Sequence, residues 1–133
     1  MKLFKLSVVT PDGEVFNGEA ESLLVHAEEG DLEILAGHVD FVASIGTGRA
    51  RIRTESGTML AACSGGFLNV SKEKVSLVCV TFEFAEDIDL DRAVRAKENA
   101  ESRITEAKDE KALDLAKAKL ARALCRIKVA GDN

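Results

Sequence analysis

The chain changes its hydrophobic period part-way along. Near the start, Phe4, Leu6 and Val8 alternate with Lys5 and Ser7. That period of two suits a strand with one buried face. Thr10-Pro11-Asp12-Gly13 then supplies a tight turn, because Pro fixes φ and Gly tolerates the left-handed region. Short apolar runs follow at residues 23–27, 39–45, 49–54, 58–63, 67–70 and 75–81. Glu55-Ser56-Gly57 and Ser71-Lys72-Glu73 predict hairpin turns between the later runs. Many short strands at this spacing predict an all-β sandwich or barrel. Arg49, Arg51 and Arg53 alternate with Ala50 and Ile52, so they share one exposed face, the ordinary condition of a solvated sheet. Gly65-Gly66 predicts a bulge or a sharp bend at the opening of a strand, with the bulge favoured; the alternative is a close backbone approach by a partner.

The period lengthens near Asp87. Ala93, Ala96, Ala100, Ile104 and Ala107 fall three or four apart and make one helix stripe. Asp87 or Asp89 caps its start, since a carboxylate there accepts from free backbone N–H groups. A second stripe runs through Leu113, Ala116, Leu120, Ala123 or Leu124, and Ile127. Lys108-Asp109 is the break between the two, with Asp109 as the next N-cap, and Gly131 ends the pattern. The expectation is an α+β protein: an antiparallel β-sandwich over residues 1–86, then two short antiparallel helices over residues 87–133. Alanine in the seam brings helix backbones close but buries little area per residue. Such a hairpin is weakly held, which suits an element that moves.

Composition narrows the function. The chain has 133 residues, enough for one modest domain with an appendage. It lacks Trp and Tyr, so Leu, Val, Ile, Ala and Phe build the core. A net charge of −5 argues against a general nucleic-acid binder. The charge is unevenly spread: residues 1–86 carry 7 basic against 13 acidic side chains, and residues 111–133 carry 6 against 2. The positive end suits an acidic partner surface, or is simply a solvated helix face. Cys63, Cys79 and Cys125 are odd in number and lack C-x-x-C spacing, and His26 and His38 complete no metal pattern. They read as reduced, buried thiols of a cytosolic protein. No run of about 18 apolar residues predicts a membrane span.

No nucleophile–base set or metal constellation marks an enzyme, so a small hydrolase is disfavoured. No glycine-rich phosphate loop occurs either. Asp89 and Arg92 lie three apart and Arg122 and Arg126 four apart, so each pair shares a helix face. If the helices fold back on each other, guanidinium groups converge with a carboxylate beside them. Guanidinium matches phosphate geometry, and the carboxylate accepts from an amino or hydroxyl group. The plainer alternative is an intrahelical Asp89–Arg92 pair with two solvated arginines.

Four stretches together resemble the epsilon subunit of bacterial F-type ATP synthases, counterpart of the mitochondrial delta subunit. Thr10-Pro11-Asp12-Gly13-Glu14-Val15-Phe16 is similar to that family's first turn and second strand. Residues 29–38, ending in Ala36-Gly37-His38, resemble its G-x-L-G-I-L-P-G-H loop, although Glu33 replaces a usual Gly and Ala36 a usual Pro. Ser64-Gly65-Gly66-Phe67-Leu68-Asn69-Val70 resembles S-G-G-F-L-E-V, and Ile88-Asp89-Leu90-Asp91-Arg92-Ala93 fits I-D-x-x-R-A. The matches keep their order across essentially the whole chain.

The resemblance implies a non-catalytic rotor-stalk protein that needs no cofactor. Its sandwich would bind the gamma subunit and the membrane c-ring, with the loop at Gly37 and His38 at the ring-facing end. The plainer reading of that loop is a glycine-permitted turn with a polar His38. Its hairpin would either fold on the sandwich or extend along gamma. Extended, Lys119, Arg122 and Arg126 would reach the alpha/beta catalytic head and block ATP hydrolysis. The protein would sit peripherally on the cytoplasmic face of the bacterial membrane. Some family members bind regulatory ATP, with or without Mg, through I-D-x-x-R-A, basic residues of the second helix and a Glu after the last strand. Glu83, Asp89, Arg92, Arg122 and Arg126 stand at those places, and Asn99 stands where ATP-binding relatives tend to carry another Arg. A rival reading is a free-standing β-sandwich nucleotide sensor with a helical interaction hairpin.

Overall fold

The computed structural model describes residues 2–132. Eight strands come first: β1 (Phe4–Thr10), β2 (Gly13–Ala20), β3 (Ser22–Ala27), β4 (Gly30–Leu35), β5 (Phe41–Ser44), β6 (Gly48–Thr54), β7 (Gly57–Val70) and β8 (Val75–Phe84). They form one sheet in the order β2-β1-β8-β7-β6-β3-β4, with β5 also pairing β7. The sheet curls into a sandwich around the apolar residues that most strands turn to one face. Leu6, Val8, Leu23, Val25, Ile52, Leu68, Val70, Val75 and Leu77 are wholly inside. One pairing departs from the antiparallel expectation: β1 runs parallel to β8, from Leu6↔Val75 to Val9↔Val78. Period alone reports which face is buried, not strand direction, so this could not be read from the chain.

β4 forms where a loop was expected. Its exposed Asp31 and Glu33 alternate with the more buried Leu32 and Ile34. β3 pairs with it along its whole length, and Glu33 accepts from Arg51 at 2.6 Å. β7 is a single strand of 14 residues where two were expected. Gly65 and Gly66 lie inside it with φ of 67° and 117°, a conformation that side chains resist. Pairing with β8 keeps its register across them, Ser64↔Thr81 and then Gly66↔Cys79. The pair is therefore the bend of the two expected outcomes, not the favoured bulge. It falls where the other edge of β7 changes partner, from β6 up to Cys63 to β5 from Phe67.

A 3-10 turn (Ala85–Asp87) leads to α1 (Leu90–Glu106) and α2 (Glu110–Asp132). Asp89 caps α1 by accepting from the Arg92 N–H at 3.1 Å, and Asp109 caps α2 by accepting from the Ala112 N–H at 2.7 Å. Both caps match the sequence reading. Gly131 does not end α2, which continues through it. Ala93 and Ala100 of α1 and Ala116 and Ala123 of α2 are buried in the seam, but Ala96 is exposed. The hairpin folds back on the sandwich through the end of α2. There Val129 and Cys125 meet Ala62, Leu60, Ala85 and Ile88.

The main core is built only from residues that precede the helices. Each large side chain in it contributes about 1.5–3 kcal/mol by burial, whereas a buried alanine contributes little. A chain ending at Glu86 is therefore expected to unfold cooperatively in urea. Residues 87–133 alone are expected to lack stable helix by circular dichroism, because isolated helices this short are marginal in water. Strong helix in the isolated hairpin would contradict this account of where the stability resides.

Candidate functional site

Glu83 sits next to last in β8, and the 3-10 turn carries the chain directly to the Asp89 cap. Arg92 follows in the first turn of α1. The antiparallel return of α2 brings Arg126 back to the strand end, where its Nε donates to Glu83 Oε1 at 3.2 Å. This ion pair ties the far end of the hairpin to the sandwich. The same residues surround a cavity of about 310 Å³ lined by Glu83, Asp87, Asp89, Arg92, Ala93, Ala96 and Arg126. Its small walls, Ala93 and Ala96, leave room between three carboxylates and two guanidinium groups. One Asp89 oxygen is occupied by the cap bond, so the other is the free acceptor.

Arg122 does not line that cavity. It lies in a second one, of about 330 Å³, with Ala96, Asn99, Ala100, Arg103, Lys119 and Arg126. Ala96 and Arg126 border both. The five residues singled out for nucleotide binding thus fall in two adjoining compartments: Glu83, Asp89, Arg92 and Arg126 in the first, Arg122 and Arg126 in the second. Lys119 lines the second compartment, so its charge faces the groove in this folded form. The sequence reading missed Arg103 and the exposure of Ala96. Arg103 was accessible by spacing, since it lies four residues after Asn99 and so on the same face.

The other candidates are remote. Gly37 takes a φ of 87° in the turn after β4, which explains the glycine without a ligand. The His38 ring packs edge-on against Phe4 at 5.9 Å, and its Nδ1 is buried without a partner among the described residues. Cys63 and Cys79 are buried and in contact across β7 and β8. The hydrogen bond to Cys79, and then burial, push the Cys63 thiol far above the ordinary range. Burial pushes Cys125 up as well. Among the described residues no cluster of His, Cys, Asp and Glu is arranged to hold a metal ion, and no helix is long and apolar enough to cross a membrane.

Comparison with known proteins matches the chain to two family domains in succession. Residues 3–85 match the beta-sandwich domain of the ATP synthase delta/epsilon chain, and residues 86–131 match its long alpha-helix domain. The chain belongs to the ATP synthase delta/epsilon family. The family's members include the ATP synthase epsilon chain of Bacillus velezensis, 42% identical over 132 residues, spanning 99% of this chain and 100% of that relative. The epsilon chain of Bacillus subtilis is 40% identical over 110 residues, 83% of each chain. In fold, the chain resembles one from the Euglena gracilis mitochondrial ATP synthase, with a TM-score of 0.81 at 22% identity. That match covers 96% of this chain and 81% of the other. A chain from the central stalk and c-ring of the Tetrahymena thermophila enzyme gives 0.67 at 17% identity, covering 97% of each.

Proposed function

We propose that this chain is a non-catalytic epsilon subunit in the rotor of an F-type ATP synthase, and that its hairpin is a nucleotide-sensitive brake on ATP hydrolysis. The sandwich joins the gamma subunit to the membrane c-ring. The hairpin, released from the sandwich, extends along gamma and presents Lys119, Arg122 and Arg126 to the alpha/beta catalytic head. The protein then works at the cytoplasmic face of the bacterial membrane, as a peripheral subunit held by its partners. Family membership along the full length supports the subunit role.

The regulatory reading is carried by one observation: the Arg126–Glu83 pair closes a cavity that exists only while the hairpin is folded back. A ligand in it contacts β8, α1 and α2 together, so it binds one state of the hairpin and not the other. Only such differential binding shifts a two-state equilibrium. Asp89 and Glu83 suit the amino and hydroxyl groups of an adenosine, and the arginines suit its phosphates. The contact around Val129 is small, and a ligand can decide between two states only when they lie within a few kcal/mol of each other.

Reversing the charge of Lys119, Arg122 and Arg126 together tests the brake. In the reconstituted enzyme the triple variant is expected to hydrolyse ATP several-fold faster than wild type, and still to coelute with gamma on gel filtration. Unchanged inhibition would remove the electrostatic contact from the mechanism. A wild-type protein that ignores gamma would instead favour the free-standing sensor.

A further inference from the structure

The thiols of the chain, Cys63, Cys79 and Cys125, converge where α2 rests on the sandwich. Cys125 belongs to α2 and shares a cavity of only about 10 Å³ with Ala62, Cys63 and Ser64 of β7. Behind that contact Cys63 and Cys79 lie together in the main core. Across the β7–β8 ladder Cys63 stands opposite Phe82 and Cys79 opposite Gly66, three positions further on. An odd separation would put two side chains on opposite faces of a regular sheet. The bend at Gly65 and Gly66 falls between them, and both thiols lie inside. They share a hydrogen bond, which holds the Cys79 thiol below its ordinary range against the opposing effect of burial.

We propose that Cys63 and Cys79 form a redox-active dithiol, and that its oxidation by a peroxide loosens the seat of α2. Cys79 carries the greater thiolate character, so its sulfur attacks the peroxide O–O bond. One oxygen stays on that sulfur as a sulfenic acid, and the other leaves as water. The Cys63 sulfur then displaces the hydroxyl, which leaves as a second water. Two electrons have passed from the thiols to the peroxide, and one S–S bond has formed. A covalent bond holds two sulfurs much closer than a hydrogen bond does, so β7 shifts at Cys63. Its neighbours carry the hairpin: Ala62 packs with Val129 and Cys125, and Ser64 lines the small cavity with Cys125. With so little free volume there, the shift is transmitted to α2 rather than absorbed. The dithiol is independent of the brake reading, and only its consequence for ATP hydrolysis rests on it.

Treatment of the full chain with hydrogen peroxide, followed by peptide mass spectrometry, tests the pair. The expected result is a peptide linking Cys63 to Cys79, reversed by dithiothreitol, with Cys125→Ser forming it as readily as wild type. Cys63→Ala, which lacks the resolving thiol, is expected to hold Cys79 as a sulfenic acid that dimedone traps. Limited trypsin digestion reads the hairpin, and cleavage within α2 is expected to be several-fold faster in the oxidised chain than in the reduced one. Linkage of Cys125 to either core thiol, or no linkage in the wild type, overturns the dithiol. Equal cleavage of the two forms overturns its coupling to α2. An oxidised chain whose α2 is cut faster, but which leaves ATP hydrolysis by the reconstituted enzyme unchanged, upholds the dithiol and overturns the brake.

Discussion

Gly66→Ala is expected to destabilise the sandwich by about 3 kcal/mol or more, among the largest effects of any single substitution in this chain. Two costs combine. The φ of 117° at Gly66 lies where L side chains are strained. A Cβ there would also fall on the carbonyl oxygen of Val78, which belongs to the β8 backbone and cannot swing away. The neighbouring glycine provides the contrast. Gly65 sits at 67°, in the left-handed region, and its Cβ would meet Val80 Cγ2 at 3.3 Å, the movable tip of an exposed side chain. Gly65→Ala is expected to cost about 1 kcal/mol. Urea unfolding of the two variants checks the difference, and equal midpoints would show that β8 does not press on Gly66. The close backbone approach that the glycine pair permits is thus made by the protein's own next strand.

ATP at ten times its dissociation constant is expected to slow alkylation of Cys125 about tenfold, and Arg126→Ala to abolish that protection. Cys125 lies half-buried where α2 meets the sandwich, so a reagent reaches it when the hairpin opens. A ligand that requires the closed state stabilises it by about 1.4 kcal/mol at that concentration, which is a tenfold drop in the open fraction. Arg126→Ala removes the tie to Glu83 as well as a phosphate ligand, so its labelling is faster even without ATP. Asp89→Ala is less informative, because Asp89 also caps α1 and its loss costs about 1 kcal/mol at baseline. Cys63 and Cys79, buried in the sandwich, act as internal controls that stay unlabelled. The pH response has a definite sign. Burial raises the Cys125 pKa in the closed form, so the closed form favours the neutral thiol. Closure is at full strength below the ordinary thiol range of about 8.5 and weakens as pH rises through it. Peptide mass spectrometry reads all three thiols at once. Labelling of Cys125 that does not respond to millimolar ATP would end the nucleotide hypothesis and leave the rotor assignment standing on the family match.

Much of this was legible in the chain because it depends on local chemistry. Alternation exposed the strands, alanine spacing exposed the seam, and both helix caps were readable from single aspartates ahead of apolar stripes. What escaped depends on contacts distant in sequence. The unity of β7 was hidden because two glycines look like an ending when seen alone. Their strained conformation is held in register by β8, which no local pattern reports. β4 was hidden by its resemblance to a loop motif, although Asp31, Leu32, Glu33 and Ile34 do alternate. In the candidate site, the pairing of Asp89 with Arg92 was readable from spacing, but their meeting with Glu83 and Arg126 around one cavity was not. That meeting comes from where the return of α2 places Arg126, and it is a property of the fold.

The parallel pairing of β1 with β8 also fixes when the protein can fold during its synthesis. Leu6 finds its partner in Val75, so the first strand waits while about half of the chain is still being made. The β3–β4 and β6–β7 hairpins close from neighbours and need no such wait. Until β8 leaves the ribosome, β1 and β2 remain a two-stranded ribbon, marginal in water and apolar on one face. The chain therefore passes through translation with an open sheet edge, and that interval is when it is most exposed to aggregation or to capture by a chaperone.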